Sequence, residues 1–262
     1  MKKKGKILFI CQELNPFIQI TDNSINNINL LKAIKENNYD VRVLMPKFGC
    51  INNRKHRLHD VIRLSCNIID VCDKQYPLFV KVASYSNYRL QIYFLDNKYF
   101  FGKKNIKDDV NNHNDEKLIF FCKSSIEIIK KLGWIPDIIS CQGWITSLIP
   151  VLIKNNDDSN LFLKTKIVYN LYTNDTFKGT FFNKNISRYL NIENKNNDME
   201  KSFLYNDLQK YAIKYSDITV SDISDDKFFQ KKLSINDSIN YKIDYKKFIT
   251  EYMNIYRFIM ER

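Results

Sequence analysis

Hydrophobic positions along this chain fall into two alternating rhythms. Lys6 to Cys11, KILFIC, is an unbroken apolar run of strand length, and apolar character on both faces suits a central parallel strand. After a polar stretch, SINNINLLKAIKENN sets Ile25, Ile28, Leu31 and Ile34 on one face of a helix, with Asp22, Asn23 or Ser24 available as its cap. DVRVLMP, Asp40 to Pro46, returns to strand and completes a βαβ unit with an expected right-handed crossover.

The middle of the chain changes character. DVIRLSCNIID, YPLFVKVAS and YRLQIYFLD are β-rich runs with no helical pattern between them, which predicts an antiparallel insert or edge meander. A polar loop is expected over 97–114. EKLIFFCKSSIEIIKKLG then reads as a helix ending near Gly133, followed by strand PDIIS, helix WITSLIPVLIK, strand KIVYNLY, a long Asn-rich loop, helix FLYNDLQKYAIKYS, strand DITVS and a final amphipathic helix in DYKKFITEYMNIYRFIM. This alternation predicts an α/β fold, a doubly wound and mostly parallel sheet with helices on both faces. In such sheets ligands bind at the carboxyl ends of the strands. The loop Gln12 to Ser24, the turn Gln142 to Trp144 and the loop after Leu171 are therefore expected to converge on one crevice.

Composition narrows the choices. With 262 residues, 44% hydrophobic, and only 6 Gly and 5 Pro, the chain has a core to bury and no linker dividing it, so a single domain over 1–262 is expected. A net charge of +12 raises nucleic acid as a partner, but only 8 of the 41 basic residues are Arg and the lysines are scattered. A nucleic-acid binder concentrates its charge on one element with interleaved aromatics. NNRKHRLH, Asn52 to His59, is the one dense patch, and a solvated loop is its default reading; no nucleic-acid partner is expected. The six cysteines form no C-x-x-C pair and sit mostly in apolar runs, as reduced core thiols do. His56 and His59 lie three apart with no further ligands to complete a metal site. No run approaches membrane-spanning length and no leader pattern is evident, so cytoplasmic residence without membrane association is expected.

One stretch poses the chemical question. PDIISCQGW, Pro136 to Trp144, ends a buried strand in a turn at the place where α/β enzymes put their chemistry, yet carries no ionisable catalytic group. Gln142 and Asn170 are candidates to hydrogen-bond a ligand, and Trp144 to stack on one or to pack beneath the sheet.

KILFICQELNPF, DVRVLMPKFG, NDEKLIFF, PDIISCQGWITSLIPVLIK and YSDITVS resemble, in order, the N-terminal domain of bacterial glycogen and starch synthases. The resemblance implies a Rossmann-like domain, one half of a GT-B fold, whose family adds glucose from ADP-glucose to an α-1,4-glucan. No metal or cofactor is implied beyond that donor substrate. The N-terminal half mainly holds the acceptor, and a C-terminal half, absent from these residues, holds the nucleotide sugar. The departures are specific. Where the family has Lys-Thr-Gly-Gly, whose lysine and backbone amides meet the diphosphate, this chain has Gln19, Ile20, Thr21 and Asp22. The family turn His-x-His-Asp-Trp is here Ser140, Cys141, Gln142, Gly143 and Trp144. An aspartate before the family's N-x-x-R-F helix start is replaced by His113 ahead of Asn114, with Lys117 and Leu118 for Arg-Phe. The resemblance thus implies acceptor or sugar contacts at Gln142, Trp144, His113 and Asn170, and a degenerate phosphate loop at Gln19, Thr21 and Asp22. Two readings follow: an acceptor-side half that binds α-glucan and needs a separate donor-domain polypeptide for catalysis, or a non-catalytic glucan-binding or regulatory module.

Overall fold

The computed structural model describes residues 4–85, 88–104, 114–156, 160–172, 181–182, 203–222, 239–243 and 247–261. The first βαβ unit forms as the spacing predicts: β1 (Lys6–Ile10) and β2 (Asp40–Pro46) pair in parallel, from Lys6 against Asp40 to Ile10 against Leu44, with α1 (Asn23–Glu36) between them. Ile28, Leu31 and Ile34 are buried, but Ile25 is 42% exposed and the buried face at the start of α1 consists of Asn23, Ser24 and Asn27. The apolar stripe therefore covers only the lower part of the helix. Its first turn presents amides and a hydroxyl because it faces a polar crevice and not the core.

The middle of the chain folds as β3 (His59–Asp60), β4 (Asn67–Val71), β5 (Lys74–Tyr85) and β6 (Leu90–Asp96). β5 pairs antiparallel with β3, β4 and β6, which is the expected insert. β4 and β5 join through Cys72 and Asp73, both at positive φ (49° and 65°), the backbone of a two-residue hairpin turn that follows strand twist. Two details differ from expectation. DVIRL holds a short 3-10 turn, Ile62–Leu64, in place of a continuous strand, and β6 also pairs in parallel with β2, so the insert is welded into the main sheet.

Beyond it come α2 (Lys98–Phe101), a helical turn inside the expected loop, α3 (Asn114–Leu132), β7 (Ile138–Gln142), α4 (Ile149–Asn156), β8 (Lys166–Leu171), the short pair β9 (Phe181–Phe182) and β10 (Phe203–Leu204), α5 (Tyr205–Tyr215), β11 (Ile218–Asp222), β12 (Ile239–Ile243) and α6 (Phe248–Met260). α3 carries Asp115 and Glu116 in its first turn and Lys130 and Lys131 in its last, matching the helix dipole, and it stops at Gly133, whose φ of 59° is a glycine conformation. Pro150 falls in the first turn of α4, so the predicted WITSLIPVLIK helix begins late, after a 3-10 turn at Trp144–Thr146. β12 has no clear signature in the sequence, because INYKI alternates too briefly to stand out from its polar surroundings.

The main sheet runs β12-β11-β8-β7-β1-β2-β6-β5-β3, parallel from β12 to β6. On β7, Ser140 bonds Tyr256 of α6 while its neighbour Cys141 lies against Cys122 of α3; adjacent strand residues point to opposite faces, so these helices cover opposite sides. The sheet is thus the doubly wound α/β, Rossmann-like arrangement expected. Of the cysteines, Cys11, Cys122 and Cys141 are core thiols, but Cys50 and Cys66 are exposed, and none of the six is in a disulfide.

α6 buries Phe248, Tyr252, Met253, Ile255 and Tyr256 against the sheet and α1. Each such side chain is worth about 1.5–3 kcal/mol on burial, and their sum rivals the 5–15 kcal/mol that holds a typical domain together. Deleting the residues after Lys242 is expected to lower the melting temperature by more than about 10 °C or abolish cooperative unfolding in a thermal scan; an unchanged melting temperature would show that α6 is dispensable.

Candidate functional site

The strand order reverses between β1 and β7: the chain leaves β1 for β2 on one side and reaches β7 only after the insert, on the other. Loops leaving the carboxyl ends of two such strands diverge, and the gap between them is a crevice. Three segments meet there, residues 11–24 after β1, 142–146 after β7 and Asn170 to Tyr172 at the end of β8.

Gln142 is the last residue of β7 and 1% exposed. Its Nε2 donates to Ser140 Oγ at 2.8 Å, and its Oε1 accepts from Asn170 Nδ2 and from the Tyr172 hydroxyl, both at 2.8 Å. Tyr172 OH also lies 2.9 Å from Asn27 Oδ1, and Asn27 Nδ2 donates to the Glu13 carbonyl. Ser140 Oγ shares a 2.7 Å hydrogen bond with Tyr256 OH of α6. The network joins β7, β8, α1, α6 and the first loop through buried carboxamides and hydroxyls. A phenol has one proton, so Tyr172 serves either Gln142 or Asn27 at any instant, and the other oxygen keeps an acceptor site.

The turn itself depends on Gly143, at φ 74° and ψ −174°, a conformation side chains rarely adopt. Its N–H donates to the Asn170 carbonyl, and Thr146 and Ser147 hydroxyls donate to the Gly143 and Trp144 carbonyls. Trp144 is 1% exposed, with its indole N–H on Gln12 Oε1 at 2.9 Å, so protein covers both ring faces. Burial pushes the Cys11, Cys141 and Cys122 thiols and the Tyr256 phenol above their ordinary ranges, which keeps these groups protonated and non-nucleophilic.

The first loop closes on itself. The Glu13 carboxylate accepts the backbone N–H groups of Ile20 and Thr21, each at 2.7 Å, and the Thr21 hydroxyl at 2.5 Å. Thr21 Oγ1 in turn accepts the Asn23 N–H at the start of α1, so Thr21 does the capping expected of Asp22, Asn23 or Ser24. Gln19 and Asp22 are exposed, and Asp22 sits at the N-cap position without a side-chain cap bond. Two amides of the segment are thereby committed to a carboxylate of the same chain, while a second carboxylate stands at the helix start. Both features disfavour an incoming anion. Burial, opposed by the Thr21 and backbone hydrogen bonds, raises the Glu13 carboxyl above its ordinary range, with Asp22 adding to the rise.

The structure therefore brings Gln142, Trp144 and Asn170 together with Thr21 nearby on the first loop, while Gln19 and Asp22 stay at the solvent side. His113 lies outside the described residues. Lys117, on the first turn of α3, is 2% exposed. Sequence reading passed over Tyr172, Asn27, Gln12 and Tyr256. Asn23, Ser24 and Asn27, at helical spacing on one face, were a legible hint of a polar-lined helix start; Tyr256, 116 residues from Ser140, left none.

The family model described as the starch synthase catalytic domain matches residues 6–226. A glycogen synthase of Chlorobium limicola is 38% identical over 180 residues, covering 65% of this chain and 37% of the relative. A glycogen synthase of Chlorobaculum parvum is 32% identical over 231 residues, covering 84% of this chain and 46% of the relative. The chain thus spans less than half the length of these relatives. Among solved structures, the catalytic domain of starch synthase IV from Arabidopsis thaliana, bound to ADP and acarbose, superposes with a TM-score of 0.71 at 15% identity over 91% of this chain and 51% of that one, a likeness of fold.

Replacing Gln142 by Leu strands the Asn170 amide in a buried site and takes one partner each from Ser140, which keeps Tyr256, and Tyr172, which keeps Asn27, at roughly 1–3 kcal/mol for a group left unpaired. Urea unfolding of Gln142→Leu is expected to show a loss of at least about 2 kcal/mol; a neutral substitution would mean that water replaces the amide. Glu13 supplies a second test. Because its folded carboxyl titrates above the unfolded one, the folded state holds the proton longer, and its contribution to stability falls as pH rises from the ordinary carboxylate range through the raised value. Glu13→Gln keeps the acceptor oxygen without the titration. The difference in stability between wild type and variant, followed by urea unfolding from pH 4 to 8, is expected to shift in the variant's favour as pH rises; a pH-independent difference would remove burial as the dominant influence on Glu13.

Proposed function

The chain belongs to the starch synthase catalytic domain family, and on that premise we propose that it forms the acceptor side of a glycogen/starch synthase-type glucosyltransferase, holding an α-1,4-glucan for extension from ADP-glucose. The observation that carries this reading is the hydrogen-bond network at the strand-order reversal, made of neutral carboxamides and hydroxyls beneath the edge where such sheets bind ligands. A glucan is neutral and rich in hydroxyls, each both donor and acceptor. The oxygen that Tyr172 leaves without its proton, on Gln142 or Asn27, is the means by which this network accepts from a sugar hydroxyl. Trp144 contributes from beneath, by fixing Gln12 and the turn. His113 and Asn170 complete the proposed set.

Transfer needs groups that stabilise a diphosphate leaving group. Gln19, Thr21 and Asp22 do not supply them, and Glu13 already holds two loop amides. In this proposal residues 1–262 act as one acceptor-side unit in the cytoplasm, and donor-side groups come from a partner polypeptide. Among the described residues no helix is long and apolar enough to cross a membrane. A second reading, a non-catalytic glucan-binding or regulatory module, is favoured by one observation: the Gln142 turn carries no group able to move a proton near neutral pH.

Isothermal titration separates these readings from their negation. Maltoheptaose is expected to bind and ADP-glucose alone is not; heat from neither ligand would overturn both readings. Glucose incorporation from ADP-glucose after adding a donor-domain polypeptide would then select the synthase half over the module.

A further inference from the structure

A second cleft opens where the antiparallel insert meets the main sheet. It encloses about 540 Å³ between the outer face of β5, the end of β3, the end of β6 and the turn α2, within the range of roughly 300–1,000 Å³ usual for small-ligand sites. Two aromatic side chains stand in it unusually open to solvent, Phe79 at 45% and Tyr99 at 50%. Tyr99 is not loose: its ring stacks on Tyr76 with centroids 5.3 Å apart and planes at 29°, and Tyr76 in turn packs on Phe100 of the core. The Asn97 side chain caps α2 by accepting the Tyr99 and Phe100 N–H groups and donates to the Pro77 carbonyl. The Tyr99 ring is thus held at the rim on a fixed backbone, with one face packed on Tyr76.

The charges of the cleft cancel. Asp60 is paired with Lys81, and Asp96 lies between Lys47, Lys81 and Lys98, of which Lys81 and Lys98 line the cleft. Two carboxylates and two ammonium groups give no net field for an anion or a cation, and no group of three metal-ligating side chains occurs among the described residues. Rigid aromatic surface beside alternating donors and acceptors fits a ligand with an apolar ring face and a rim of hydroxyls.

We propose that the Phe79 and Tyr99 cleft is a second saccharide-binding site that takes a segment of the same neutral glucan chain as the crevice. The inference rests on the acceptor-side reading above, and the position of the cleft supports it. β6 runs parallel to β2, β1 and β7, so Asp96 and Gln142 end their strands at the same edge of the sheet, three strand spacings or about 15 Å apart. A polymer seated in the cleft raises the effective concentration of its own chain at the crevice without any new contact there.

Hydrogen exchange of the full chain, with and without maltoheptaose, reads the two sites separately. Glucan is expected to protect segments 75–82 and 95–102 in the wild type, and this protection is lost in the double variant Phe79→Ala, Tyr99→Ala while protection of 11–24 and 141–146 remains. Both side chains are half exposed, so the variant keeps its fold, which an unchanged melting temperature verifies; should it unfold, the single variant Tyr99→Ala carries the same expectation. Wild-type protection confined to the crevice overturns the cleft and leaves the acceptor-side reading intact. Protection confined to the cleft, and lost in the variant, supports the second site and overturns the crevice. No protection anywhere overturns both.

Discussion

The structure turns on one requirement: a carboxamide at the end of a fully buried central strand must find partners without water. Gln142 finds them on β8, on its own strand and through Tyr172, and those partners reach α1 and α6. A half-satisfied network of this kind is worse than an apolar core, whereas a satisfied one locks relative positions. The Gln142 network sets where the first helix starts, where the last helix lies and how β7 and β8 end. It also explains why the helix face toward the crevice is amide-rich when hydrophobic patterning called for isoleucine.

The same economy governs the first loop. Its amides are gathered by Glu13, a group seven residues earlier than Ile20, and Thr21 bonds both that carboxylate and the helix start. A loop closed in this way presents little positive potential. Beside it the crevice floor is neutral, and its thiols and buried phenol are held protonated by desolvation. The electrostatics of this edge disfavour a diphosphate, which is one ground of the proposed acceptor role. The insert extends that edge outward, because β6 pairs with β2 and carries the cleft at its carboxyl end.

The parallel core was readable because strands such as KILFI are apolar on both faces, and a two-sided apolar run has few other destinations. The antiparallel insert was readable from three β-rich runs without a helix between them, and Gly133 marked the end of its helix by conformation. The failures share a cause. Periodicity places Ile25 inward because it counts only apolar residues, and INYKI carries no strand signal because edge pairing depends on a neighbour that local pattern does not contain. Likewise Trp144 is legible as a landmark, but the choice between stacking on a ligand and packing beneath the sheet is not, since burial is decided by what folds over it.

The amino-acid sequence by itself determined the strand and helix rhythm, the doubly wound topology, the family, and which residues stand at the carboxyl ends of the strands, because each is a matter of local apolar spacing or ordered motifs. Tertiary structure alone decided that Gln142 and Asn170 bond each other, that Tyr256 reaches Ser140 across 116 residues, that Glu13 occupies its own loop and that Phe79 and Tyr99 share a cleft. These are contacts between groups distant in the chain, set by packing geometry and the need to pair buried polar atoms, and no window of sequence holds both partners at once.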